Sequence, residues 1–274
     1  MSHWRAAWRL RSRLVASAVG LVWTLGAFAS ESAGAQSVVS ERRVELFGDR
    51  HAVSGGFGDW TGIGVRVTVP SGARDVWFVE ALQRNAFTDA GAYLSGANQH
   101  EWNDRWYSFV SVAAGTGDFV LPDLRFDASL ARKWGERRAL VSTLGTTVVD
   151  AKLGYRDVGA FGSLTAYLSP LVVVDGGIRA TRSTPGDVDA ARAFGGITLG
   201  RTGKGYLVFR GSSGREGYQL LGPGAVPRRF SSHEGAVSWR QWLRPTGGFL
   251  VQGERYINPF YRRTGVTVGI FAHW

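Results

Sequence analysis

From Arg42 to the last residue the chain falls into runs of about 10 to 14 residues of alternating character, each broken by Gly, Pro, Asn or Asp, and that is the length an outer-membrane strand needs to cross a bilayer. Alternation at period two gives a strand two unlike faces. Ile63, Val65, Val67 and Val69 share one face while Arg66 and Thr68 share the other, and Leu124, Phe126, Ala128 and Leu130 oppose Arg125, Asp127 and Ser129. The same split sets Val172, Val174, Gly176 and Ile178 against Asp175 and Arg179, and Phe249 and Val251 against Gln252 and Glu254. Strands beginning near Arg42, Trp60, Arg74, Gly91, Arg105, Asp123, Ala139, Val158, Leu171, Ala191, Gly205, Phe230, Gly247 and Arg262 make fourteen; merging the less distinct runs makes twelve.

Such a pattern fits a soluble β-sandwich as well as a membrane barrel, so the start of the chain matters. Arg5, Arg9, Arg11 and Arg13 precede an uncharged stretch from Leu14 to Ser30 and the small-residue site Ala33-Gly34-Ala35, the plan of a secretory leader cut before Gln36. The expected division is a signal peptide over 1–35 and a single domain over 36–274. An exported chain without cysteine draws its stability from main-chain pairing and packing instead of disulfides. After the leader no segment approaches 18 consecutive apolar residues, so no helix spans a membrane, and a closed barrel is the remaining structure that satisfies its backbone in lipid.

Connection lengths favour the barrel. With the N-terminus on the periplasmic side, the even-to-odd connections fall at "PSGA", "WNDR", "WGER", "LSPL", "TGKG" and "RPTG", all tight turns, while the longest connection, "GREGYQLLGPGAVPRR", falls at the other end. Trp77, Trp102, Trp106, Trp134, Trp242 and Trp274 stand beside the tight turns or at the chain end, as an interfacial aromatic belt would, and Trp60 stands at the opposite end. The fold class expected is all-β: a transmembrane antiparallel up-and-down barrel of about 14 strands, with 12 as the alternative.

The face opposite the aliphatics carries Arg66, Glu80, Arg84, Arg125, Asp127, Asp175, Arg179, Arg192, Arg210, Glu234, Arg240 and Glu254, the candidate lumen-facing set. Arginines and carboxylates facing one another neutralise and hydrogen-bond, which reads as a packed ionic plug, with a charged passage or ligand site as the functional counterpart. Ser232, His233 and Glu234 invite a hydrolase reading, but neighbours in a strand point to opposite faces, so the three do not converge. His51, His100 and His273 show no metal-ligand spacing, "GSSGREGY" lacks the ending and the helix of a phosphate loop, and Arg215 and Glu216 are placed to pair with one another. No catalytic residue, metal or cofactor is expected.

The formal charge of +10 includes four arginines and one glutamate in the leader, which leaves about +7 for the exported chain. The acidic partners suited to that compartment are phosphorylated lipids or anionic polymers, not nucleic acid, and Arg228 and Arg229 are placed to meet lipid phosphates.

An early Asp59-Trp60, Glu80 with Arg84, Trp106 to Ser108, "GRE" at 214 to 216, "GERY" at 253 to 256 and the closing "YRRTGVTVGIFAHW" follow one another in an order that resembles the YaiO-type outer-membrane β-barrel proteins. The resemblance implies a barrel in the outer membrane of a Gram-negative bacterium. Expected partners are outer-membrane lipid and lipopolysaccharide, the barrel assembly machinery and envelope polysaccharide. Val266, Val268, Ile270 and Trp274 resemble the terminal recognition segment of such barrels. The expected function is a non-enzymatic role in passage, surface structure or envelope polysaccharide handling; the alternative is a barrel-embedded enzyme acting on lipid or lipopolysaccharide.

Overall fold

The computed structural model describes residues 41–219 and 228–274, so the leader expected over 1–35 lies outside the described residues. Strands form where side chains alternate, and turns where Gly, a Pro-containing pair or a side-chain cap such as Asn103, whose Oδ1 accepts from the Arg105 and Trp106 amides, allows reversal. In chain order they are β1 (Arg43–Val53), β2 (Trp60–Ser71), β3 (Asp75–Ala86), β4 (Asp89–Asn103), β5 (Trp106–Gly115), β6 (Leu124–Trp134), β7 (Leu140–Asp150), β8 (Arg156–Ser169), β9 (Val172–Thr184), β10 (Val188–Arg201), β11 (Gly205–Tyr218), β12 (Arg228–Arg244), β13 (Gly247–Ile257) and β14 (Arg262–His273). Each begins within three residues of the position read from the sequence, and none of the runs merges.

All fourteen strands pair antiparallel with their chain neighbours, and β14 returns to β1 to close the barrel. Closure runs the length of both strands, from Arg43 opposite His273 to Val53 opposite Arg263, so no edge is left with unpaired amides. The connections at 72–74, 104–105, 135–139, 170–171, 202–204 and 245–246 are two to five residues long and lie at the end where β1 begins and β14 finishes. At the other end the fully described connections run from two residues at 87–88 to eight at 116–123. Short turns at one end and longer loops at the other are the mark of an outer-membrane barrel, with the short turns periplasmic.

Burial separates the two faces. In β3, Val76, Phe78, Glu80, Leu82, Arg84 and Ala86 are buried, while Trp77 and Val79 between them are exposed. Ile63, Leu144, Ile178, Val266, Val268 and Ile270 point outward and stand mostly open, an apolar surface suited to lipid. At the short-turn end Trp77, Trp102, Trp134 and Trp274 face out. Trp102 Nε1 and Trp134 Nε1 donate to Ser108 Oγ (3.0 Å) and Ser142 Oγ (2.8 Å), which satisfies the polar end of each indole at the interface.

Two of the expected belt residues belong elsewhere. Trp60 is 2% exposed and Trp242 8%, both on the inner face, because the parity of β2 and β12 turns them inward. Trp60 joins the main apolar cluster, which gathers inner-face residues Phe47, Leu82, Tyr93, Ala113 and Tyr256 with loop residues Phe87, Phe119, Val120, Leu121 and Tyr261 at the long-loop end.

Candidate functional site

The inner face holds two linked sets of charges. In the first, Glu45 accepts from Arg66 Nη1 at 3.0 Å and from Arg240 Nη2 at 2.5 Å, while Arg66 Nε donates to Glu80 at 2.5 Å. Glu45 stands on β1 and Arg240 on β12, with β14 and β13 between them in the wall, so this pair reaches over two intervening strands. Arg66 and Arg240 also lie against the Phe47 and Phe271 rings, at 4.2 and 4.8 Å.

The second set is longer. Arg84 Nη2 donates to Asp49 Oδ2 (3.0 Å), Asp49 Oδ1 lies 2.9 Å from His51 Nε2, and His51 Nδ1 lies 3.2 Å from Glu254 Oε1. Arg263 then bridges Glu254 (3.0 Å) and Glu234 (3.7 Å); Arg192 lies 3.9 Å from Glu234 and donates to Glu216, which also accepts from Ser232 Oγ (2.5 Å) and Tyr256 OH (3.0 Å). The chain of contacts thus joins β3 to β10 by way of β1, β14, β13, β12 and β11.

Glycines make the lateral contacts possible. Gly62 stands opposite both Asp49 and Arg84, and Gly265 opposite both His51 and Glu254. A Cβ on Gly62 would come within 2.5 Å of Asp49 Oδ2, and one on Gly265 would overlap the His51 ring. Each charged pair closes over a strand that has no side chain at that level.

Of the remaining predicted residues, Arg125 forms a two-pronged pair with Asp127 (2.7 and 2.9 Å), to which Ser111 also donates. Asp175 and Arg210 flank Gly196 on adjacent strands, and Arg179 lies 5.4 Å from the Phe161 ring. The lumen-facing set read from the sequence leaves out Glu45, Asp49, His51, Glu216 and Arg263, which supply links in the two networks. Glu216 and Arg215 do not pair as expected: they are neighbours within β11 and so lie on opposite faces, with Glu216 turned to Arg192.

At the short-turn end the interior widens into a cavity of about 1510 Å³. Its rim includes Arg43, Arg74, Arg137, Arg201 and Arg244 together with Glu41 and Glu101; its depth includes Glu45, Arg66, Arg210, Arg240, Asp49, His51 and Glu254. At the opposite end loops fold inward. Asp89 accepts from the amides of Asp118, Phe119 and Val120 at 2.8–3.0 Å, which pins the 116–123 loop so that Leu121 is buried. Phe87 packs edge-on to Trp60 (4.8 Å between centroids) and to Tyr261 (5.6 Å), and Gln219 hydrogen-bonds Tyr261 and Asn258.

No Ser-His-acid relay is assembled among the described residues. Both nitrogens of His51 face carboxylates, so neither is available to a serine. His233 Nδ1 meets Ser213 Oγ at 2.9 Å on the outer face, away from the acids of the interior. Nor do the described residues group three or more His, Asp or Glu side chains as a metal site.

The model of the YaiO membrane beta barrel domain matches residues 41–219. Comparison with curated proteins gives no match. Among solved structures, the chain is similar to the monoaromatic hydrocarbon channel CymD (TM-score 0.57, 7% identity, 85% of this chain and 88% of that one). It is also similar to a bacterial polysaccharide outer membrane secretin (TM-score 0.54, 9% identity, 87% and 100%) and to the translocator domain of the autotransporter NalP from Neisseria meningitidis (TM-score 0.51, 12% identity, 92% and 95%). At these identities the likeness is one of fold.

Proposed function

The chain belongs to the YaiO membrane β-barrel family, and from that premise we propose that it is a non-enzymatic outer-membrane barrel whose Arg/acid lumen receives an anionic envelope polysaccharide from the periplasmic side and stays closed to free diffusion at rest. The observation that carries the reading is the contrast between the two ends. The short-turn end opens on a cavity of about 1510 Å³ whose rim sets five arginines against two glutamates, while the other is filled by Trp60, Phe87, Phe119, Leu121 and Tyr261. A basic rim raises the local concentration of a polyanion, and aromatic walls such as Trp242 and Tyr206 give sugar rings an apolar face to rest on. The deeper charges neutralise one another, so they close the lumen instead of lining a wide aqueous pore. Barrels of similar fold carry names as unlike as a hydrocarbon channel and a polysaccharide secretin, so the contents of the interior, not the wall, set what passes.

Planar-bilayer recording with the purified barrel tests this. Expected are a low basal conductance and a rise when Phe87→Ala and Tyr261→Ala are combined to thin the aromatic closure. Tryptophan fluorescence titrated with an acidic oligouronate is expected to change, and with a neutral oligoglucan to stay flat. A wide, steady wild-type conductance, or an equal response to both sugars, would overturn the proposal.

A further inference from the structure

The outer surface carries a feature that the fold does not require. Gly176 on β9, Gly195 on β10, Gly211 on β11 and Gly235 on β12 stand opposite one another in a single register row, and the next residue in that row, on β13, is Arg255. All four have the outward parity of their strands, so the row is a strip of bare backbone crossing four strands, roughly 14 Å at the usual strand spacing. It has two side-chain walls. Toward the short turns run Val174, Ile197, Phe209 and Val237; toward the long loops run Ile178, Ala193, Ser213 and His233.

Glycine in a strand weakens it, so a row of four asks for a reason. None of the four has a positive φ. A Cβ added to Gly176, Gly211 or Gly235 would meet nothing nearer than 3.5 Å, and one on Gly195 would lie 3.2 Å from a backbone oxygen. The inner glycines differ, since Gly62 and Gly265 are held empty by the side chains packed over them. The outer row is empty toward the membrane.

The charge at the head of the trough is the second observation. Exposed arginines at the long-loop end of the other strands are each paired: Arg50 with Asp59 at 2.8 Å, Arg156 with Asp150 at 3.3 Å, Arg182 with Asp187 at 3.1 Å. Around β12 the pattern changes. Arg215 on β11 and Arg255 on β13 stand on either side of it with His233 between them, and Arg262 starts β14 beside the end of β13. Among the described residues no acid pairs with Arg215, Arg255 or Arg262, and all three are exposed. Unneutralised guanidinium groups at the edge of an apolar band call for an anion, and an arginine fork suits phosphate.

We propose that this face binds one phosphorylated glycolipid of the outer leaflet, with an acyl chain laid along the Gly176 to Gly235 trough and a headgroup phosphate held by Arg215 and Arg255, aided by the Ser213–His233 pair. The apolar wall meets the chain, the polar end of the opposite wall meets the headgroup, and the trough leads from one to the other.

The test titrates the full barrel in detergent micelles with bis-phosphorylated lipid A, its dephosphorylated form and phosphatidylcholine, with bound lipid counted by native mass spectrometry. Combining Arg215→Ser with Arg255→Ser is expected to weaken the phosphorylated lipid about 25-fold, from roughly fivefold per arginine at a membrane surface, and to leave the dephosphorylated form unchanged. Combining Gly211→Val with Gly235→Val is expected to weaken both forms of lipid A alike, because it fills the trough and leaves the charges in place. Heat-modifiable gel mobility checks folding. Should the valine variant misfold, Gly235→Ala, whose new Cβ meets nothing nearer than 3.9 Å, carries that arm. Binding of lipid A unaffected by both kinds of variant, or phosphatidylcholine held as tightly as lipid A, would overturn the proposal.

Discussion

Asp49→Asn is the most informative single change to the inner face. The Asp49 and Arg84 side chains are 3% and 2% exposed and meet at 3.0 Å, and Asp49 also faces His51 at 2.9 Å. The substitution keeps the volume and removes the charge, so a buried guanidinium is left without its counter-ion. With almost no solvent to screen it, the cost is that of breaking a buried pair from one side, about 3 kcal/mol. At a guanidinium m-value on the order of 4 kcal/mol/M that moves the unfolding midpoint down by roughly 0.7 M. The assay is guanidinium unfolding of the barrel refolded in lipid vesicles, followed by tryptophan fluorescence. The decisive comparison is the cycle with Arg84→Met: once the cation is gone, neutralising Asp49 costs less, and the pair is expected to be coupled by more than about 1.5 kcal/mol. An unshifted midpoint for Asp49→Asn, or strictly additive effects in the cycle, would refute the view that the network holds the wall together.

Three further outcomes follow from the same geometry. Gly265→Val puts side-chain atoms where the His51 ring lies, and is expected to lower the unfolding midpoint by at least as much as Asp49→Asn, while Gly253→Val, with nothing within 4 Å, leaves it unchanged; equal effects at the two sites would contradict this. Leu144→Arg places a charge on the lipid face near mid-strand, where it costs about 2–4 kcal/mol, so less folded barrel is expected in outer-membrane fractions by heat-modifiable mobility; a protein that tolerates it and fractionates as soluble would sink the membrane assignment. Trp274→Ala removes an exposed interfacial anchor and is expected to slow assembly into vesicles, and assembly at the wild-type rate would count against the role given to the last strand.

The strands were readable because each carries its own signal: period-two alternation, with turn residues at fixed intervals, is local information. Residues on either side of a turn were harder. Trp60 begins β2, where position alone reads as a membrane interface, yet strand parity sends it inward to meet Phe87 and Tyr261, which come from loops distant in the chain. Only the folded barrel brings those rings together. His51 was legible in principle, since Glu45, Phe47, Asp49 and His51 recur at period two along β1. What the sequence hides is that β1 closes against β14, so that Asp49 on its own strand and Glu254 from β13 meet around one imidazole. Closure is the least local contact in the chain, and the network depends on it.

The 38 glycines look at first like a single compositional bias toward curvature. Their surroundings divide them. Gly62, Gly265 and Gly196 face inward, each opposite charged residues on both neighbouring strands, and the lumen network needs them empty because guanidinium and carboxylate groups close over them. Gly176, Gly211 and Gly235 face outward with room for a side chain that is absent. A bias toward flexibility would scatter glycine over both faces without regard to neighbours. Here Gly62, Gly196 and Gly265 each stand between charged residues, and Gly176, Gly211 and Gly235 share a row that ends on an arginine, so these two sets answer to different constraints: one to the packing of the protein against itself, the other to the surface it offers to lipid.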